Sequence, residues 1–190
     1  MRPSDERGFT LLEILIVTTI AALIASWVLP TFRRQLLQGE VDQYSGLVAV
    51  GLDNLQKRLS VERLSHCICF EANSWALPSS MGLERQRPNG DQAEPMPNCS
   101  EEDPSRRLRV MNLEGSRVSR QVQAMALEPK FCISPPGTSA TPKTFTLLLK
   151  SLKGNSDPRL LVRCLHMNGN GYLIRGTWEP SAKTCQPKWG

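Results

Sequence analysis

The chain has 190 residues and a formal net charge of +5 from 23 Lys/Arg and 18 Asp/Glu, with 40% hydrophobic residues and six cysteines. Once its most apolar segment is set apart, that length leaves one modest soluble domain with a lean core, of the kind that often needs covalent staples. No Gly-rich phosphate loop, no G-x-S-x-G and no His-x-x-x-His pattern occurs, so the sequence signals none of these catalytic chemistries.

The first predicted element is an apolar run from Phe9 to Leu29, interrupted by one carboxylate, Glu13. Its 21 residues rise roughly 31 Å as a helix, matching a hydrocarbon core of about 30 Å. A bare carboxylate in that setting costs about 2.5–3.5 kcal/mol, so Glu13 requires a partner. An ordinary secretory signal has an apolar stretch of only about 7–15 residues with a small-residue cleavage site behind it. Ala21-Ala22 and Ala25-Ser26 offer weak sites of that kind, but this run is longer, carries an acid near its start and continues into a helical pattern. A plain signal anchor is the other reading of the same run. Charge does not orient the segment, because Asp5 and Glu6 offset Arg2 and Arg7 while Arg33 and Arg34 lie on the far side.

Gly8-Phe9-Thr10-Leu11-Leu12-Glu13 resembles the processing site of type IV pilins and type II secretion pseudopilins, and the resemblance extends to Pro30. It implies a leader of residues 1–8 that prepilin peptidase removes after Gly8, followed by N-methylation of the new terminus, Phe9. It implies that Glu13 compensates the α-amine of a neighbouring subunit during assembly, and that Pro30 is the family's helix-kinking proline. The partners implied are other pilin or pseudopilin subunits, the prepilin peptidase and the inner-membrane assembly platform. No cofactor, metal or small-molecule substrate is implied. The chain is then a single-pass inner-membrane protein with its head outside the cytoplasm, and later a filament subunit. It is a substrate of two enzymatic steps, not a catalyst.

Beyond the span of residues 9–29, the pattern over 30–66 turns amphipathic. Leu37, Val41, Tyr44, Val48, Leu52, Leu55 and Leu59 recur at steps of three and four, which is one helix face. Gln38, Glu40, Asp42, Asp53, Lys57 and Glu62 lie mostly off that stripe. One long helix from about Phe9 to Leu64 is predicted, with its second half buried against a head. Gly39, Gly46 and Gly51 each weaken it by about 1 kcal/mol relative to Ala and, with Pro30, mark places to bend or melt. Those glycines and the short stripe argue against an exposed coiled coil.

Residues 67–106 read as a connecting region, broken by Pro78, Pro88, Pro95, Pro97 and Pro104 and ending in Glu101-Glu102-Asp103. In the resembled family this is the place of the variable loop, which Cys99 would pin to the body. Cys67, Cys69, Cys99, Cys132, Cys164 and Cys185 all follow the membrane segment, where an exported chain meets an oxidising compartment, so three disulfides are expected. Six cysteines allow about 15 connectivities, and the sequence does not choose among them. His66-Cys67-Ile68-Cys69 lacks the spacing of common structural zinc sites. His66 and His166 stand apart from any nucleophile or carboxylate pattern and read as packing or surface residues.

Residues 107–190 carry the β signals. Strands are predicted at Leu108–Leu113, Gln121–Leu127, Lys130–Ile133, Thr144–Leu149, Arg159–Leu165 and Tyr172–Trp178. Asn168-Gly169-Asn170-Gly171 forms a hairpin turn between the last two. The fold class is therefore α+β: a long N-terminal helix, kinked near Pro30, packed on an antiparallel sheet head. The last hairpin loosely resembles the C-terminal strands of H-type minor pseudopilins. Residues 1–103 hold 9 Lys/Arg against 14 Asp/Glu, and residues 104–190 hold 14 against 4. That basic half, with the irregular proline-rich loop, favours a minor subunit over a bulk one. It also raises a DNA-binding alternative in which Arg106, Arg107, Arg109, Arg117, Arg120, Arg163, Arg175, Lys183 and Lys188 contact phosphates. Aromatic interleaving is sparse, so base stacking is not signalled. Type IV pilus and type II secretion pseudopilus share the same N-terminal chemistry and are not separated by it.

Overall fold

The computed structural model describes residues 10–63, 66–69, 72–81, 83, 117–134, 139–141, 144–154 and 157–187. Gly8, Phe9, Cys99, Arg106, Arg107, Arg109, Lys188 and the strand expected at Leu108–Leu113 lie outside them. The chain forms two compact units, one up to Leu36 and one from Leu37 onward.

Helix α1 spans Leu11–Glu62 without a break, Pro30 included. Thr10 starts it: its hydroxyl accepts the Glu13 N–H at 3.3 Å and its carbonyl accepts the Glu13 and Ile14 N–H groups at 3.1 and 3.2 Å. The helix ends where Arg63 turns left-handed at φ 55° and donates its N–H back to the Leu59 carbonyl at 3.0 Å.

From Leu37 the helix belongs to the head. Val41, Tyr44, Val48, Leu52, Leu55 and Leu59 are all buried, so the stripe read from the sequence is the one that packs. At about 1.5–3 kcal/mol per large apolar side chain, this burial outweighs the penalties of Gly39, Gly46 and Gly51, which sit inside an intact helix. Gly46 also leaves room for the Arg175 guanidinium, whose Nη1 lies 3.0 Å from where a Cβ would stand.

The head has two antiparallel sheets, where the sequence suggested one. The larger runs in the order β2 (Val122–Ala126), β5 (Thr144–Ser151), β6 (Arg163–Asn168), β7 (Leu173–Glu179), β8 (Thr184–Pro187). The smaller runs in the order β1 (His66–Cys69), β3 (Lys130–Ser134), β4 (Ser139–Thr141). Three of these strands, β1, β4 and β8, have no counterpart in the sequence reading. β1 falls at the start of what the pattern marked as connecting region, and helix α1 stops before it. These strands have three or four residues each, too few for a period to register. Strand β6 begins at Arg163 rather than Arg159, because Asp157 and Pro158 open a turn in which Asp157 Oδ1 accepts the Arg159 N–H at 3.0 Å.

Strand β5 lies inside the larger sheet, between β2 and β6. Phe145 to Leu149 are all buried, which explains its near-continuous apolar run. Phe145, Leu147 and Leu149 share a core with Leu165, Met167, Val122, Ala124 and the α1 stripe. The rings of Phe131 on β3 and Phe145 stack at 4.5 Å between centroids, joining the two sheets. Ala72 to Ala76 cover the outer edge of β2, with Ala76 and Ala124 exchanging backbone bonds of 2.9 and 2.8 Å. The β6–β7 turn uses Gly171 at φ 79°, a backbone region that glycine occupies freely, with its N–H on the Asn168 carbonyl at 2.9 Å.

Candidate functional site

Two groups of residues carried functional expectations: the N-terminal segment and the basic C-terminal half. In the first, every side chain described from Leu11 to Arg33 is exposed, among them Leu11, Leu12, Ile14, Leu15, Ile16, Val17, Ile20 and Leu23. An apolar surface of this extent marks a membrane or partner contact. The helix is long and apolar enough to cross a bilayer.

Its polar groups suit that medium. Thr18 and Ser26 donate their hydroxyls to the carbonyls of Leu15 and Leu23 at 3.0 and 2.7 Å. The Thr19 hydroxyl reaches the Leu15 and Ile16 carbonyls at 3.0 and 2.8 Å, and Thr31 reaches Trp27 at 3.3 Å. With hydroxyls folded back on the helix, these side chains leave no donor that must be met by water. Pro30 supplies no N–H for the Ser26 carbonyl, yet the helix is unbroken there.

Glu13 stands third in the helix after its cap, Thr10. Thr10-Leu11-Leu12-Glu13 therefore reads as an S/T-x-x-E capping pattern, a signal present in the sequence that marks the true helix start. At this position the carboxylate also faces the positive end of the helix dipole. The residue thus sits in the first turn of α1, where an acid suits the helix end.

In the basic half, Arg163 needs correction. Its side chain is only 5% exposed, and its guanidinium forms a fork with Asp42 of α1, 33% exposed. Nε donates to Asp42 Oδ1, Nη2 to Oδ2 at 3.0 Å, and Nη1 to the Thr177 hydroxyl. A buried, paired guanidinium is not available to a phosphate; it fastens sheet to helix. Arg117, Arg120, Arg175 and Lys183 are exposed.

The Asp42–Arg163 fork belongs to a row of fastenings that the sequence did not reveal. The Gln38 amide brackets Leu161, accepting its N–H at 2.9 Å and donating to its carbonyl at 3.4 Å. Gln56 donates to the Gly171 carbonyl at 2.7 Å. Gln38 and Asp42 looked like solvated positions because they lie off the apolar stripe. The helix flanks carry the bonds and the stripe carries the burial.

Elsewhere, Cys67 is bridged to Cys132 and Cys164 to Cys185. Burial holds the Lys150 ammonium below the ordinary lysine value, and its Nζ sits 4.0 Å over the Trp75 ring. His166 Nδ1 lies 3.0 Å from the Thr146 hydroxyl, a packing role. Among the described residues, no group of three or more His, Cys, Asp or Glu could hold a metal ion.

Residues 3–29 match the family model of the prokaryotic N-terminal methylation motif. Neither a curated protein nor a solved structure matches the chain, so the loose likeness of the last hairpin to H-type pseudopilins gains no support. Residues 3–29 thus carry the signal of a type IV pilin or pseudopilin precursor.

Proposed function

We propose that this chain is a minor pilin or pseudopilin, a structural subunit built into a type IV pilus or related filament. The observation that carries the reading is an exposed apolar helix with one acid, Glu13, inside a methylation motif matched over residues 3–29. Prepilin peptidase cuts after Gly8, and the new amine of Phe9 is methylated. The helix anchors the precursor in the inner membrane until the platform moves it into the fibre. There Glu13 pairs with a neighbour's amine, since an uncompensated charge among apolar helices is costly.

Intact-mass and N-terminal analysis of the membrane-extracted protein tests this. The mature chain is expected to begin at Phe9, to carry one added methyl group, and to lack thiol protons on its bridged cysteines. A chain beginning elsewhere overturns the assignment.

A type II secretion pseudopilus uses the same N-terminal chemistry. A retraction motor among the genomic neighbours favours the pilus, and a secretin with exoprotein genes favours secretion. The DNA-binding alternative loses Arg163, whose guanidinium is taken by Asp42 and Thr177, and no observation among the described residues favours it; we do not adopt it.

A further inference from the structure

The N-terminal unit, up to Leu36, is helical from Leu11 and runs on through Pro30, so separation in sequence converts directly to height along it. Ile14 to Phe32 carry no ionisable side chain, and a charge closes each end of that stretch, Glu13 at one and Arg33 at the other. The two stand 20 residues apart, about 30 Å along the axis, which is the thickness of a hydrocarbon core.

The apolar run Phe9–Leu29 is as long, but it holds Glu13 inside. Moving the bilayer frame four residues along the helix, about 6 Å, brings the acid to the surface. That move gives up Phe9, Leu11 and Leu12 and gains Phe32. A carboxylate in hydrocarbon costs roughly five times what one Leu or Phe returns, so the move is favourable. Thr31 enters without an unmet donor, because its hydroxyl is bonded to the Trp27 carbonyl at 3.3 Å. Arg33 stops the slide, since the next group to enter would be its guanidinium. Depth is thereby limited from both sides. Arg33 comes to lie in the headgroup layer, which is about 5–8 Å thick on each face.

The Arg33 side chain is exposed. A guanidinium forks two oxygens of one phosphate, the group that a bilayer presents at this level. A second copy inserted in the same direction is a poorer match. Its nearest acids along the axis, Glu13 and Glu40, lie about 30 and about 10 Å from the level of Arg33.

We propose that Arg33 is a phosphate-binding site for anionic phospholipid, holding a headgroup at the C-terminal end of the span and so setting the depth of the anchored helix. This rests on the reading of the apolar run as an inserted span.

The test places the full chain in phosphatidylcholine vesicles containing about a quarter phosphatidylglycerol. Traces of photoreactive lipid are added, with the reactive group either in the acyl tail or on the headgroup of one lipid or the other, and the labelled peptides are mapped by mass. Tail probes are expected to label residues 14–32 and to stop before Arg33. Around Arg33, the phosphatidylglycerol headgroup probe should label about fivefold more than the phosphatidylcholine one, the effect of one cation at a charged surface. That preference should fall to about one in salt on the order of 1 M and in the R33Q/R34Q variant, where both cations are changed so that neither replaces the other. Equal labelling by the two headgroup probes, a preference that survives R33Q/R34Q, or tail-probe labelling beyond Arg33 overturns the proposal. So do chain-to-chain adducts at Arg33 in place of lipid adducts, which would assign the residue to a second copy. Absence of tail-probe labelling over residues 14–32 overturns the inserted span and this proposal with it, whereas tail labelling without a phosphatidylglycerol preference overturns this proposal alone.

Discussion

Asp42 and Arg163 stand 121 positions apart in the chain and meet as a fork between helix and sheet. Removing the acid strands a guanidinium that is 5% exposed. Breaking such a pair costs about 3–5 kcal/mol, with the lower end expected here because Asp42 keeps a third of its surface in solvent. Asp42→Ala should therefore lower stability by about 3 kcal/mol in denaturant unfolding, and the Asp42→Ala/Arg163→Met double variant should lose clearly less. Gly176 makes a second prediction at this scale. A Cβ there would stand 1.9 Å from the Gln186 carbonyl oxygen, because the β8 backbone runs close beside Gly176, which pairs with Pro187. Gly176→Ala should cost about 1–3 kcal/mol, read as a fall in melting temperature of roughly 5–10 °C. None of these three residues stood out in the sequence for the part it plays. Asp42 looked like one more surface acid on a helix, Arg163 looked like a basic-patch residue, and Gly176 was one of 13 glycines. Contacts across such separations are written in the fold and not in any local window.

Among the elements, legibility followed length. The stripe from Leu37 to Leu59 spans several helical turns, so its period stood clear of noise, and each of its members from Val41 onward is buried. Strand β5 was legible for its apolar run, and the β6–β7 hairpin for its Asn-Gly turn. β1, β4 and β8 were not, because three or four residues carry no period. The cysteine connectivity was equally silent in sequence. Cys67 faces Cys132 only because β1 pairs with β3 in the register that sets them opposite. The two bridges close loops of separation 65 and 21, which the chain-entropy account values at about 4 and about 3 kcal/mol. Replacing Cys67 and Cys132 by Ala should thus destabilise the head by about 1 kcal/mol more than replacing Cys164 and Cys185. Thermal unfolding of the two variants side by side checks the order, and equal losses would count against it.

For the whole molecule, the motif matched over residues 3–29 takes in Gly8, Phe9 and Glu13, and a local string of this kind is legible without any knowledge of the fold. Glu13→Ala should leave leader cleavage intact. It should reduce incorporation into filaments by roughly two orders of magnitude, the factor that corresponds to about 2.5–3.5 kcal/mol for an uncompensated charge among apolar helices. Filament fractions blotted against membrane fractions measure this, and normal incorporation would count against charge pairing. The fastenings of the second half of α1 have a mechanical side. Gln38, Asp42 and Gln56 grip β6 and the connections on either side of it at separate levels along one helix, two of them near the start of its head-bound part and one toward its far end. A pull entering that helix from its N-terminal side would load the Gln38 and Asp42 grips, on Leu161 and Arg163, before the Gln56 grip on Gly171. Such a joint yields stepwise under a pull, beginning at its lower end, instead of tearing at once.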